Sequence, residues 1–303
     1  IYDQYRSTFN GPAANMLAVV LVLACLFLLL VELRLRGRAH YARIGAGAAR
    51  PAERTRLGRL TGPALLGLAA LTGLSVAVPV GSLGYWLLVG ASDDFSIAAL
   101  ASTTATSLGL GAVAAVVTTA CALPVAWLCV RHRGRLATVL ERSTYFGHAL
   151  PGIVVALALV TTTIRLTPAL YQTTPILVVA YVILFLPRAM VSVRSALAQA
   201  PAVLDDVAHT LGASRIATLG RVPLPLIPPG LGAGAALVFL AVVTELTATL
   251  LLAPIGTQTL ATRFWSYTSS IAYSDAAPYA AVMVLISAPA TFLLTRDTRG
   301  SAL

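Results

Sequence analysis

AANMLAVVLVLACLFLLLVEL (13–33) runs straight into RLRGRAHYARIGAGAARPAERTRLGRL (34–60). The first stretch holds one charged side chain, Glu32, at its far end. It matches the roughly 20 apolar residues that a helix needs to cross a bilayer core. The second carries Arg34, Arg36, Arg38, Arg43, Arg50, Arg54, Arg56 and Arg59 among Ala and Gly. With few large apolar residues it cannot build a core, and it reads as a solvated linker lying against anionic headgroups. The first stretch has neither a basic N-region nor a small-residue cleavage site, so it does not read as a cleavable leader.

The rest of the chain repeats that alternation. Apolar residues make up 58% of the 303 and charged residues 11%, with a mean hydropathy of +0.85. A soluble domain carries about a quarter charged residues, so the apolar surplus here must face lipid. Six further stretches have spanning length: 63–90, 105–130, 146–164, 175–193, 226–252 and 277–294. The second and sixth of the seven are long enough to tilt or to include an interfacial turn, and Pro151 and Gly152 interrupt the start of the fourth. The expected fold class is therefore an all-α membrane protein, a polytopic helical bundle of about seven spans.

Charge gives the expected orientation. All 21 basic residues are Arg, and the net charge is +10. The Arg residues sit between apolar segments rather than along one amphipathic face, which argues against nucleic acid as a partner. The 34–60 linker, the 131–142 connection, the region after the fifth span and the tail at Arg296 and Arg299 all fall on one side. Only Arg6, Arg165 and Arg263 fall on the other, with Asp93, Asp94 and Asp275. Cationic connections stay in the cytoplasm, so the N-terminus is expected outside and the C-terminus inside, as seven crossings require.

Little in the chain points to chemistry. With no Lys, a phosphate loop of the G-x-x-x-x-G-K-[ST] type cannot exist. Cys25, Cys121 and Cys129 lie inside apolar segments without metal or disulfide spacing, and they read as small apolar fillers. His40, His132, His148 and His209 fall in different connections or span ends. No metal site, cofactor or catalytic grouping is expected.

The stretch PAVLDDVAHTLGASRIATLGRVPLPLIPP (201–229) stands apart. Asp205 or Asp206 can cap a short helix. Val207, Ala208 and Leu211 give that helix a small apolar face, and Gly212 supplies a left-handed stop. A second short helix, from about Ser214 to Leu219, carries Ile216. Pro223, Pro225, Pro228 and Pro229 then open the next span, where a missing N–H costs least. Either a protein partner covers this hairpin or it packs on its own bundle.

Here the chain resembles the permease subunits of binding-protein-dependent ABC importers, whose cytoplasmic loop follows E-A-A-x-x-x-G-x9-I-x-L-P. Asp206-Val207-Ala208 stands in the E-A-A place, Gly212 in the Gly place, and Val222-Pro223-Leu224-Pro225 in the I-x-L-P place. Asp206 for Glu and Val207 for Ala are the departures. ALPVAWLCVRHRGR (122–135), ALPGIVVALALV (149–160) and TELTATLLLAPIGTQTLATRFWSY (244–267) resemble the ferric-iron branch, with thiamine, polyamine, sulfate and molybdate branches sharing much of the pattern. The resemblance implies a type I ABC importer permease and an ATPase-coupling loop built on Asp205, Asp206, Ala208, Gly212, Val222, Leu224 and Pro225. It also implies two copies of a separate ATPase and an extracytoplasmic substrate-binding protein in a bacterial cytoplasmic membrane. A secondary transporter or a membrane scaffold is the other class. Against the former, Glu245 alone qualifies as an ion-coupling group near the midplane.

Individual residues carry narrower expectations. Glu245, an acid inside the sixth span, reads as part of a translocation path or outer gate, or as a hydrogen-bond partner for a neighbour's Thr or Tyr. Arg188 snorkels to the inner interface, Trp265 and Tyr267 anchor the outer one, and Gly109, Gly111, Gly230, Gly232 and Gly234 allow close helix packing. Finally, YDQYRSTFNGPAANMLAVVLVL (2–23) is similar to FWSYTSSIAYSDAAPYAAVMVL (264–285). The expected organisation is thus a last helix of a preceding repeat (1–33), a basic cytoplasmic linker (34–62), a six-helix permease domain (63–294) and a cytoplasmic tail (295–303), within a longer chain of two repeats.

Overall fold

The computed structural model describes residues 1–6, 10–35, 58–90, 95–131, 150–199 and 227–300. In the intervening connections it describes 134, 135, 137, 139–141, 143, 144, 207, 210–212, 214 and 225. No strand occurs among these residues. The helices are α1 (Tyr2–Arg6), α2 (Gly11–Leu35), α3 (Thr61–Val89), α4 (Ile97–Arg131), α5 (Gly152–Leu166), α6 (Thr174–Gln199), α7 (Pro228–Val243), α8 (Thr247–Leu252), α9 (Leu260–Ser269) and α10 (Tyr273–Gly300). By length and hydropathy α2, α3, α4 and α6 can each cross a membrane, while α5 and α7 are shorter apolar helices. The chain is a multi-pass helical membrane protein. The end of the bundle holding the α5–α6 turn and α9 is called upper below, and the opposite end, where α4 and α6 finish and α7 starts, lower.

The core is α4, α6 and α7 packed on one another. α6 contributes its bulk, through fully buried Leu177, Ala180, Tyr181, Ala189, Val193 and Leu197. α4 meets it with Ala114, Ala122 and Ala126, which are small enough to let the backbones approach. Two glycines sharpen the fit. A Cβ on Gly230 would overlap Ala196, and one on Gly111 would lie 2.9 Å from the Phe239 ring. Gly234 lies in ordinary contact range of Ala189, whereas Gly109 and Gly232 face open space and need no close neighbour. α3, by contrast, has no buried residue, and its Leu and Val side chains are exposed along its length.

Two expected spans come out differently. The sixth is not one helix, because α7 ends at Val243, residues 244–246 are non-helical, and the six-residue α8 follows. The fourth begins only at Gly152, after Pro151 in an extended conformation (φ −60°, ψ 137°). The expected outer loop 254–276 contains α9, an amphipathic helix opened by a capping box between Thr259 and Thr262. Its N-terminus is tied to the core by a 2.8 Å hydrogen bond from the Leu260 N–H to the buried Ser107 hydroxyl of α4. Phe264 and Trp265 are exposed on α9, while Tyr267 turns inward, 5.6 Å from the Tyr279 ring and 5.9 Å from the Arg263 guanidinium. Trp265 alone is therefore placed as an interfacial anchor would be. α1 sits with Tyr5 beside Tyr171, and burial first, then the neighbouring Tyr171 hydroxyl, pushes the Tyr5 phenol up to about 12.

Candidate functional site: a broken helix and a turn at the lower end

The break at 244–246 is built by side chains that satisfy helix ends. The Thr244 hydroxyl folds back on the carbonyls of Leu240 and Ala241, at 3.0 and 3.2 Å, and closes α7. One residue on, the Glu245 carboxylate opens α8. Its Oε1 accepts from the Thr247 hydroxyl at 2.6 Å and from the Ala248 N–H at 3.0 Å. An acid bonding a backbone N–H three residues ahead acts as an N-cap and complements the positive helix end. Gly152, the first residue of α5, lies directly alongside: a Cβ there would be 2.6 Å from Thr247 Oγ1 and 3.3 Å from Glu245 Oε1. The carboxylate thus sits where two helices begin. Its second oxygen has no hydrogen-bond partner among the described residues, and the residue is half-buried.

A second layer holds the break to α6. The Thr249 hydroxyl donates to the Glu245 carbonyl at 3.0 Å. Its single proton thereby committed, it accepts from the fully buried Tyr181 hydroxyl at 2.7 Å. Glu245 therefore bonds within its own segment, while the neighbouring helix's Tyr reaches it through Thr249. At about 1.5 Å per residue, Tyr181 lies roughly 10 Å along α6 from its upper end. Gly152, Tyr181, Thr247 and Thr249 belong to this arrangement, and the sequence reading did not assemble them. The Pro151–Gly152 interruption and the Thr–Glu–x–Thr spacing were the available signals.

At the lower end the expected coupling loop is described in part. Asp205, Asp206, Ala208, Val222 and Leu224 lie outside the described residues. Gly212 has φ +84°, the left-handed conformation expected of its stop. It follows one helical turn, in which the Leu211 N–H reaches the Val207 carbonyl at 3.1 Å. Val207 and Leu211 are 48% and 82% exposed, so their apolar face is uncovered. Pro225 is exposed just before α7. Arg188 is exposed on α6, with its guanidinium 5.4 Å from the Phe185 ring centroid. Nearby, Arg194 of α6 pairs with Glu141 of the 132–149 connection. Among the described residues no group of three His, Cys, Asp or Glu could hold a metal ion.

The model of binding-protein-dependent transport system inner membrane components matches residues 118–296. The chain belongs to that family. The matched region runs from the middle of α4 through α10 and so contains both the broken helix and the Gly212 turn. Over 301 residues the chain is 36% identical to the Fe(3+)-transport system permease protein FbpB 2 of Haemophilus influenzae, covering 98% of this chain and 59% of that protein. It is 31% identical over 154 residues to an ABC transporter permease protein of Streptomyces antibioticus, covering 50% of this chain and 66% of that one. The chain thus spans less than two thirds of the length of the curated relatives it matches. In fold it is similar to a chain of the MetNI methionine ABC transporter in inward-facing form, with a TM-score of 0.55, 17% identity, and 69% of this chain and 98% of that chain covered. A second crystal form gives 0.53 at the same identity. The fold of the family member is that of an ABC importer permease.

Proposed function

We propose that the chain is part of the membrane-spanning permease of an ATP-driven importer that carries ferric iron inward. The carrying observation is the 36% identity to a ferric-iron permease across 98% of the chain. ATP hydrolysis belongs to two copies of a separate ATPase, and an extracytoplasmic binding protein delivers the cargo. The lower end and the C-terminus are cytoplasmic, in keeping with the Arg distribution. Residues Asp205, Asp206, Ala208, Gly212, Val222, Leu224 and Pro225 form the ATPase-docking loop. The uncovered Val207 and Leu211 beside the Gly212 turn support this, because an apolar face at an aqueous boundary asks for a partner. Glu245 lies on the translocation path, where its second carboxylate oxygen is available to a passing cation.

The domain assignment follows the same reading. Residues 63–294 form one unit of six spans, with α7 and α8 as a single broken span and the short α9 outside the count, 34–62 a linker and 295–303 a tail, with 1–33 closing a preceding repeat. The short-then-long helix pair α1–α2 recurs as α9–α10, matching the likeness of 2–23 to 264–285. The test is uptake of labelled ferric iron and of labelled thiamine by cells whose own iron permease is deleted, complemented with the whole gene that encodes this chain. Iron uptake abolished by Gly212→Trp at normal expression is the expected result. Uptake of thiamine but not iron would overturn the substrate, and full iron uptake by Gly212→Trp would overturn the coupling loop.

A further inference from the structure

We infer that the seam between α2 and α5 is a binding site for one anionic glycerophospholipid. Ala14 and Ala18 of α2 pack on Leu157 of α5. Beside that contact a groove of about 560 Å³ opens outward between the two helices. The helices run antiparallel, since Tyr5, just before α2, meets Tyr171, just after α5. The groove therefore has two chemically different ends. Asn15, Thr162 and Arg165 line the upper end, and Val19, Leu23, Val154 and Ala158 line its length below.

The upper end is rich in unspent donors. Asn15, Thr162 and Arg165 are exposed, and none has a hydrogen-bond or ion-pair partner among the described residues. An amide, a hydroxyl and a guanidinium offer two, one and five N–H or O–H groups. A cation with no carboxylate partner among the described residues, joined by neutral donors, matches a phosphodiester, whose oxygens only accept. From Val154 to Arg165 is about 16 Å along α5 at about 1.5 Å per residue. One leaflet of a bilayer core is about 15 Å deep. An acyl chain can lie along Val19, Ala158 and Leu23 while its phosphate reaches Arg165. The apolar length excludes a free phosphate as the natural occupant, and the bilayer supplies the lipid.

The experiment purifies the full chain in mild detergent from membranes containing phosphatidylglycerol and phosphatidylethanolamine. Native mass spectrometry then counts lipid retained per chain. One phosphatidylglycerol retained in preference is expected. Arg165→Gln and Thr162→Val should lower its retention at least threefold, and Ala158→Phe, which fills the groove, should remove it. Arg263→Gln, an upper Arg away from the groove, should leave retention unchanged. Equal loss in Arg263→Gln would show general surface charge at work and overturn the site. So would retention indifferent to Arg165→Gln, a substitution on an exposed side chain that leaves packing alone. Disulfide capture of a second copy through Val19→Cys and Ala158→Cys in membranes would place protein in the groove and overturn it as well.

Discussion

Substituting Gly152 by Ala should destabilise the bundle, although Ala ordinarily favours a helix over Gly. The new Cβ would lie 2.6 Å from Thr247 Oγ1, 3.3 Å from Glu245 Oε1 and 3.7 Å from Leu184 Cδ1. The first separation is too short to keep, so Thr247 must swing away and give up its 2.6 Å bond to Glu245. A hydrogen bond to a charged group contributes about 1.5–3 kcal/mol, while relieving glycine's backbone entropy returns about 0.5–1 kcal/mol. The net cost is about 1–2 kcal/mol. Thr247→Ala removes the same bond directly and should cost about 1.5–3 kcal/mol. Once the Thr247 hydroxyl is gone the methyl's nearest neighbour is Glu245 Oε1 at 3.3 Å, a contact that a shift of a few tenths of an ångström relieves, so the double variant should be about as stable as Thr247→Ala alone, a coupling above the roughly 0.5 kcal/mol expected of independent sites. The assay is thermal unfolding of the detergent-solubilised chain, where about 1 kcal/mol shifts the midpoint by about 2–4 °C. Additive effects, or an unchanged midpoint in Gly152→Ala, would refute the placement of α5 against the break.

Gly230→Ala should lower the same midpoint by several degrees, because its Cβ overlaps Ala196. Gly232→Ala, in open space two residues away, should hold or raise it through helix propensity worth about 1 kcal/mol. Ser107→Ala strands the Leu260 N–H at a fully buried position, at a cost of about 1–3 kcal/mol; hydrogen exchange should speed up across α9 and not across α6. In a background without Cys25, Cys121 and Cys129, Ser269→Cys should react with a membrane-impermeant thiol reagent in intact cells and Thr210→Cys only after permeabilisation, and the reverse would invert the topology. The Tyr5 phenol, raised to about 12, should favour α1 docking fully below pH 10 and lose it as pH climbs through about 12. An alkaline absorbance titration differenced against Tyr5→Phe reads this, and a Tyr5 transition near pH 10 would show the contact absent.

What could be read from the sequence was whatever the bilayer imposes on every residue of a span. The apolar run 13–33 and the Arg-rich 34–60 gave α2 and its boundary because length and charge act locally. The turn at Gly212 was legible for a similar reason, since a stop with positive φ depends on one residue. Packing between distant segments was not legible. Gly109 and Gly111 look alike in sequence, yet only Gly111 faces an aromatic ring, contributed by Phe239 of another helix. Tyr267 looked like Trp265, yet Tyr279 and Arg263 draw it inward.

The break at 244–246 lies between these cases. Hydropathy saw one continuous span over 226–252, since a single Glu scarcely lowers the average of such a run. Local hydrogen bonding says otherwise: Thr244 ends a helix by bonding backwards, Glu245 starts one by bonding forwards, and the two acts fall on adjacent residues. Such a pair cannot sit in a straight helix facing lipid, because the freed backbone groups would lack partners there. It survives where other elements enclose it, and here α5 begins beside it at Gly152 while Tyr181 closes it from α6 through Thr249. The side chains that break the helix and those that shelter the break are thus parts of one arrangement. The sequence shows the first set on one segment, and only the fold brings the second set to it.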